Sequence, residues 1–150
     1  LLPSVFRRSR KVPSSMTTLV LELRPGDLLI VNGAPIRFRN RARVELVGRA
    51  RFLFGKQVLT AEQATTPARR IYLAMQTAYV GRDDERDAAL GEARALVAAF
   101  GESDEPDEPR GLMRQAMDAA EAGEHYQALK LARRVLRLEE AEVAADEAPA

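Results

Sequence analysis

Residues 36–54 read I-R-F-R-N-R-A-R-V-E-L-V-G-R-A-R-F-L-F, and their side chains sort by parity. Arg37, Arg39, Arg41, Arg43, Arg49 and Arg51 hold odd positions, while Ile36, Phe38, Val44, Leu46, Phe52 and Phe54 hold even ones. A period of two is that of a β-strand, whose successive side chains point to opposite faces. The stretch is therefore predicted to be extended, with one apolar side on a core and one side of guanidinium groups. A turn near Asn40 is expected to break it into a hairpin, and parity alone does not then put both arms' arginines on one surface. Solvated strand faces normally mix signs, because like charges opposite each other on a sheet repel. Six arginines with the single glutamate Glu45 among them point instead to an anionic partner. The plainer reading, that strands near water turn charge outward, accounts for any one of these arginines.

The formal net charge of +1 conceals a split. Residues 1–70 hold 14 Lys+Arg against 4 Asp+Glu, a net +10, and residues 71–150 hold 9 against 18, a net −9. Such asymmetry suggests a basic binding part beside an acidic helical part, or two halves that attract each other. Cysteine is absent, which rules out disulfides, thiolate metal sites and cysteine nucleophiles, and is compatible with a reducing cytoplasm. No apolar run approaches the roughly 20 residues that cross a bilayer.

Residues 1–16 read as a disordered basic arm, or as translated sequence upstream of a start at Met16. An antiparallel β subdomain is expected over 17–58. Thr17–Leu23 alternates as a strand, Arg24-Pro25-Gly26-Asp27 is a turn, and Leu28–Val31 is a short buried strand. Asn32-Gly33 matches a type I′ hairpin turn. Gly48 and Gly55 close the arms of the arginine stretch, giving four to six short strands in a small curled sheet or open barrel.

A helical subdomain is expected over 59–140. Thr60-Ala61-Glu62-Gln63 has capping-box spacing, and Thr66-Pro67 is a second helix start. Ile71, Met75, Ala78 and Tyr79 form its buried stripe, and Gly81 its end. Asp83 or Asp84 begins the next helix, with Leu90, Leu96, Val97 and Phe100 as its apolar positions and Gly101 as its stop. Glu102–Pro109 is expected to be a solvated, mobile acidic linker; it lacks the spacing and central glycine of an EF-hand loop. Residues 112–138 form a helical hairpin broken at Gly123, partly resembling a single tetratricopeptide unit. With no second copy at that period, a solenoid is rejected. Residues 141–150 read as a disordered acidic tail.

Catalytic signals are sparse. His125, the only histidine, lies beside Glu124 at a helix start, and no nucleophile elbow, phosphate-cradling loop, metal-spaced cluster or dinucleotide fingerprint is present. The carboxylates lie on helix surfaces and linkers rather than in apolar pockets that would shift their pKa. The residues imply no enzyme, no cofactor and no metal site.

Three segments together resemble the FlbT family of flagellar-biosynthesis repressors: L-E-L-R-P-G-D-L-L-I-V-N-G-A-P-I-R at 21–37, T-P-A-R-R-I-Y-L-A-M-Q at 66–76, and Y-Q-A-L-K at 126–130. The likeness spans about 19–140 and leaves out the basic arm. It implies post-transcriptional control of flagellin, through association with the 5′ untranslated leader of flagellin messenger RNA and changes in its translation and decay. It also implies a small regulator of the FlaF family as protein partner. The residue chemistry suits such a ligand, since arginine fields bind phosphates and unpaired bases stack on guanidinium planes or aromatic rings. The candidate RNA contacts are Arg37, Arg39, Arg41, Arg43, Arg49 and Arg51, extended by Arg69 and Arg70. Phe38, Phe52 and Phe54 fall on the opposite parity and are expected in the core. The expected architecture is α+β, a small antiparallel sheet and then about four helices, in a cytoplasmic protein without a membrane span. The rival is a protein-interaction adaptor whose arginines meet an acidic partner surface; self-association stays open.

Overall fold

The computed structural model describes residues 18–147; the arm at 1–16 and the last residues of the tail lie outside them. The chain divides into two compact units, one holding residues up to Val58 together with Val80–Asp83, the other holding Leu59–Tyr79 and everything from Asp84 onward. Five short strands and then four helices make an α+β fold, as the periodicity predicts.

In the first unit the strands are β1 (Thr18–Leu23), β2 (Leu28–Val31), β3 (Ala34–Arg37), β4 (Ala42–Val47) and β5 (Phe52–Phe54). All pairing is antiparallel. The strands form two sheets, β1-β4 and β3-β2-β5. Apolar residues of alternate parity meet in one core, with Leu21, Leu23, Leu29 and Phe52 buried and Phe38, Val44, Leu46 and Phe54 packed against them. The three phenylalanines are therefore core residues. The β2–β3 turn is the expected type I′, since Asn32 and Gly33 both have positive φ, 49° and 90°.

The expected hairpin at Asn40 is not formed. β3 pairs with β2 and β4 pairs with β1, so residues 38–41 cross from one sheet to the other. Phe38 causes the crossing. Its N–H donates to the Asp27 carbonyl at 2.9 Å and its carbonyl accepts from the Gly26 N–H at 2.7 Å. Those bonds hold the chain against the β1–β2 turn while the ring packs into the core, and a tight turn back onto β3 would forfeit both.

A 3₁₀ turn at Gly55–Gln57 closes the strand region of the first unit; the second unit carries a 3₁₀ turn at Ala61–Gln63 and nearly all of the helices α1 (Pro67–Val80), α2 (Asp83–Gly101), α3 (Asp107–Glu121) and α4 (His125–Glu147). Pro67 opens α1, and the Thr66 hydroxyl accepts the Arg69 N–H at 3.1 Å as its cap. The α1 stripe of Ile71, Met75, Ala78 and Tyr79 is buried. On α2 the inward positions belong to Ala89, Ala93, Val97 and Phe100, and Leu90 and Leu96 are only half-buried. α3 and α4 pack closely along buried Ala116, Ala120, Ala128 and Ala132, whose small side chains let the backbones approach.

Two boundaries differ from the sequence reading. The acidic segment is not a mobile linker throughout: α3 begins inside it at Asp107, and Pro109 is buried in the first helical turn. Proline costs little there, and Asp107 and Glu108 favour a helix N-terminus. Arg110 pins the joint by donating to the Gly101 carbonyl at 3.1 Å and pairing with Asp107. At the other end, α4 continues through Glu147 rather than fraying from 141. Residues 139–147 are all Glu, Ala, Val and Asp without glycine or proline, and alanine and glutamate propagate a helix well.

Candidate nucleic-acid interface

The arginines of residues 36–54 do not form one field. β4 carries Arg43 outward with Glu45 and Val47 while Ala42, Val44 and Leu46 turn inward, so the parity rule holds within that strand. β3, however, is an edge strand of the other sheet and is exposed along its whole length. Arg39 and Arg41 lie in the crossing between the sheets rather than in a strand. Alternation reports a face only while the chain stays in one sheet.

The tertiary structure sorts the candidates into two ends of the first unit. At one end, the Arg24–Asp27 turn is bonded to the crossing at Phe38. Arg37 joins it, with Nη1 donating to the Gly26 carbonyl at 3.0 Å. Arg39 follows Phe38, and Arg41 precedes Ala42, the ladder partner of Leu23, so Arg41 and Arg24 continue the same ladder. All four arginines are exposed. Asp27 is engaged at the base of the turn, its Oδ2 accepting the Arg24 N–H at 2.8 Å. Gly55 approaches Asp27 closely enough that a Cβ on it would lie 4.0 Å from that oxygen, which brings neighbouring Lys56 to this end as well.

Arg49 and Arg51 lie at the other end, beyond the six residues of β4, a rise of about 20 Å. Arg49 is exposed. Arg51 is structural: its side chain is 29% exposed, and Nη2 reaches the Gly81 carbonyl at 3.4 Å and Asp83 Oδ1 at 3.3 Å. Its backbone is also locked, since its N–H donates to Asn32 Oδ1 at 3.0 Å and its carbonyl accepts the Asn32 N–H at 2.9 Å. Between the ends, Arg43 faces Glu22 across the β1-β4 ladder, with Nε 3.5 Å from Oε2 and both side chains about three-quarters exposed (73% and 76%). An ion pair this exposed is weak and leaves both groups solvated.

Arg69 and Arg70 belong to the second unit. Arg70 is exposed, while Arg69 is half-buried and donates to Thr65 Oγ1 at 3.2 Å. Arg69 lines a cavity of about 620 Å³ with Thr66, Glu105, Glu139 and Val143. There the Thr66 hydroxyl donates to Glu139 at 3.0 Å. Burial raises the Glu139 pKa above the ordinary carboxylate value, against the smaller lowering influence of the Thr66 bond and the Arg69 charge. Among the described residues no group of three or more His, Cys, Asp or Glu side chains is placed to hold a metal ion, and no helix is long and apolar enough to cross a membrane.

Reading the sequence for alternation overlooked Arg24 and Lys56. The signal for Arg24 was the R-P-G-D turn, which looks like a connector until its partner strand is known. Gln76 was also missed. It is 5% exposed on α1, and its amide takes both backbone groups of Leu59, accepting from N–H and donating to the carbonyl at 2.9 Å each.

The family described as "Flagellar protein FlbT" matches residues 19–143. A protein of Mesorhizobium japonicum named "Probable flagellum biosynthesis repressor protein FlbT" is 32% identical over 126 residues, covering 81% of this chain and 82% of its own. One of Bradyrhizobium diazoefficiens, "Probable flagellum biosynthesis repressor protein FlbT 2", is 34% identical over 124 residues, covering 81% and 88%. A Brucella abortus relative of the former name is 33% identical over 87 residues, covering 58% and 57%. No solved structure matches. With the family matched from the first strand into α4, and relatives above 30% identity aligned over most of both chains, this chain belongs to the FlbT family.

Proposed function

We propose that this protein is a non-enzymatic, post-transcriptional regulator of flagellin synthesis. It binds the 5′ untranslated region of flagellin messenger RNA and changes its translation and decay in the cytoplasm, together with a small regulator of the FlaF family. Support comes first from relatives whose names describe flagellum biosynthesis repressors. The observation that carries direct RNA contact is the state of Arg39 and Arg41. These side chains are exposed and have no hydrogen bond or ion pair among the described residues. Guanidinium groups left in water beside a rigid sheet can meet phosphates without breaking anything first, and release counterions as they do.

The test is fluorescence anisotropy with purified protein and a labelled flagellin leader, run across a salt series. Direct binding that weakens as salt rises is the expected result. No binding by the purified protein, with binding restored by a second flagellar regulator, would overturn direct contact. That outcome would favour the second reading, an adaptor acting through a protein partner. The 620 Å³ cavity beside Glu139 and the exposed Leu138 and Val143 on α4 favour it, because exposed apolar groups near a cleft suit protein docking.

A further inference from the structure

We infer that, within the first unit, RNA contact is confined to the turn end, where Arg24, Arg37, Arg39 and Arg41 stand together, and that this end grips closely spaced phosphates of an unpaired, sharply bent RNA segment. The inference rests on the RNA-binding reading above and narrows it, excluding Arg43, Arg49 and Arg51 from the contact and adding Arg24.

Three observations select this end. The first is rigidity. The turn and the crossing are joined by the Gly26–Phe38 and Phe38–Asp27 backbone bonds and by Arg37 on the Gly26 carbonyl, so the cations ride on fixed backbone. The second is sign. Four arginines stand here against the one carboxylate built into the turn, Asp27, which keeps its charge while accepting the Arg24 backbone N–H, whereas Arg43 is opposed one to one by Glu22 and Arg51 by Asp83. The third is availability. Arg24, Arg39 and Arg41 are exposed and their side chains have no partner among the described residues; Arg49 shares that state but stands at the far end of β4, away from the other three, and Arg51 is committed to Gly81 and Asp83.

The size of the end sets the ligand. It is built from one turn and one crossing segment, a width of two or three strand spacings, about 10–15 Å. Readers of double-stranded RNA span about 16 base pairs and touch two successive grooves, which this end cannot do. A loop or bulge folds its backbone back on itself and brings several phosphates into such an area. The rings that could stack unpaired bases, Phe38, Phe52 and Phe54, are in the core, so stacking falls to the guanidinium planes.

Leader-RNA binding of the full chain, its R24A/R39A/R41A variant and its R43A/R49A variant decides the matter. Four phosphate contacts give a slope of log affinity against log salt of about −3, and one remaining contact gives about −0.7. The turn-end variant is expected to lose at least about tenfold in affinity and most of that slope, as loss of phosphate contacts does. R43A/R49A is expected to stay within about twofold, and R24K/R39K/R41K to recover most of the slope because a phosphate contact needs charge. A stem-loop should outcompete a fully paired duplex of equal length. Equal losses in the two alanine variants, a native slope far steeper than −3, or preference for the duplex would overturn the inference while leaving RNA binding intact. Loss of binding to an acidic polypeptide with RNA binding unchanged would overturn it too. Failure of the native protein to bind RNA at all would sink both readings together. Circular dichroism confirms that each variant is folded.

Discussion

Gly33 lies against the backbone of Arg82: a Cβ placed on it would come within 2.8 Å of both the Arg82 N and Cα atoms. The β2–β3 turn therefore serves two purposes, reversing the chain and seating Val80–Asp83 within the first unit. Its glycine is required twice, by its φ of +90° and by that approach.

Gly33→Ala should destabilise the protein by about 3 kcal/mol, combining a left-handed backbone on an alanine with overpacking against main chain that cannot move aside. Gly26→Ala and Gly48→Ala share the positive φ but meet nothing within 4 Å. Each should cost about 1 kcal/mol. Urea denaturation of the three variants separates conformational strain from close packing; equal losses would refute the second requirement.

Arg51→Ala is expected to lower stability by about 1 kcal/mol, the scale of a lost hydrogen bond, while leaving RNA affinity unchanged. Its guanidinium is spent on Gly81 and Asp83. A thermal melt paired with an anisotropy titration tests both halves, and an intact melt with lost RNA affinity would reverse the assignment.

Gln76→Leu should cost about 2 kcal/mol, because it strands the N–H and carbonyl of Leu59 beside a buried apolar side chain. Both groups are now paired to the Gln76 amide at 2.9 Å. Chemical denaturation measures the loss, and hydrogen exchange at the Leu59 amide should quicken. An unchanged exchange rate would show that this bond does not persist in solution.

Glu139 makes stability depend on pH in a direction its environment fixes. Burial raises its pKa in the folded protein, so the folded state holds the proton more tightly than the unfolded chain. The stabilising contribution is complete below the unfolded pKa and is lost as pH rises through the folded one. Glu139→Gln removes the titration while still accepting the Thr66 hydroxyl. The variant's urea midpoint should exceed that of the native protein at pH 7, and the advantage should shrink as pH falls toward 4. A variant less stable at pH 7 would mean that the Thr66 bond and the Arg69 charge outweigh burial.

Tyr72 is 1% exposed, and its hydroxyl accepts a hydrogen bond from Arg133 Nη2 at 2.7 Å. Burial raises its pKa despite the opposing Arg133 charge. In an ultraviolet titration Tyr72 should ionise above the ordinary tyrosine value or only on unfolding, and Tyr72→Phe should remove that component. A Tyr72 component titrating at or below the free value would mean that Arg133 dominates.

Much of the architecture is decided by local chemistry. Asn32-Gly33 fixes a type I′ turn because only such residues enter left-handed backbone cheaply. Thr66-Pro67 starts α1 and Gly123 breaks the α3–α4 hairpin for comparably local reasons, and the positions of Ile71, Met75, Ala78 and Tyr79 state which side of α1 is buried. The alternation of residues 42–47 likewise names the inner side of β4. Partner choice is not local. Nothing in I-R-F-R-N-R-A-R says that β3 will pair with β2 and β4 with β1, because register and sheet membership arise from hydrogen bonds between segments distant in sequence. Phe38, held by Gly26 and Asp27, turns one apparent arginine face into two separated ends, brings Arg24 to one and leaves Arg51 as a brace at the other. Sequence alone determined which residues are charged, which are apolar and where the chain bends. The tertiary structure decided which charges stand together, since that depends on which strands share a ladder.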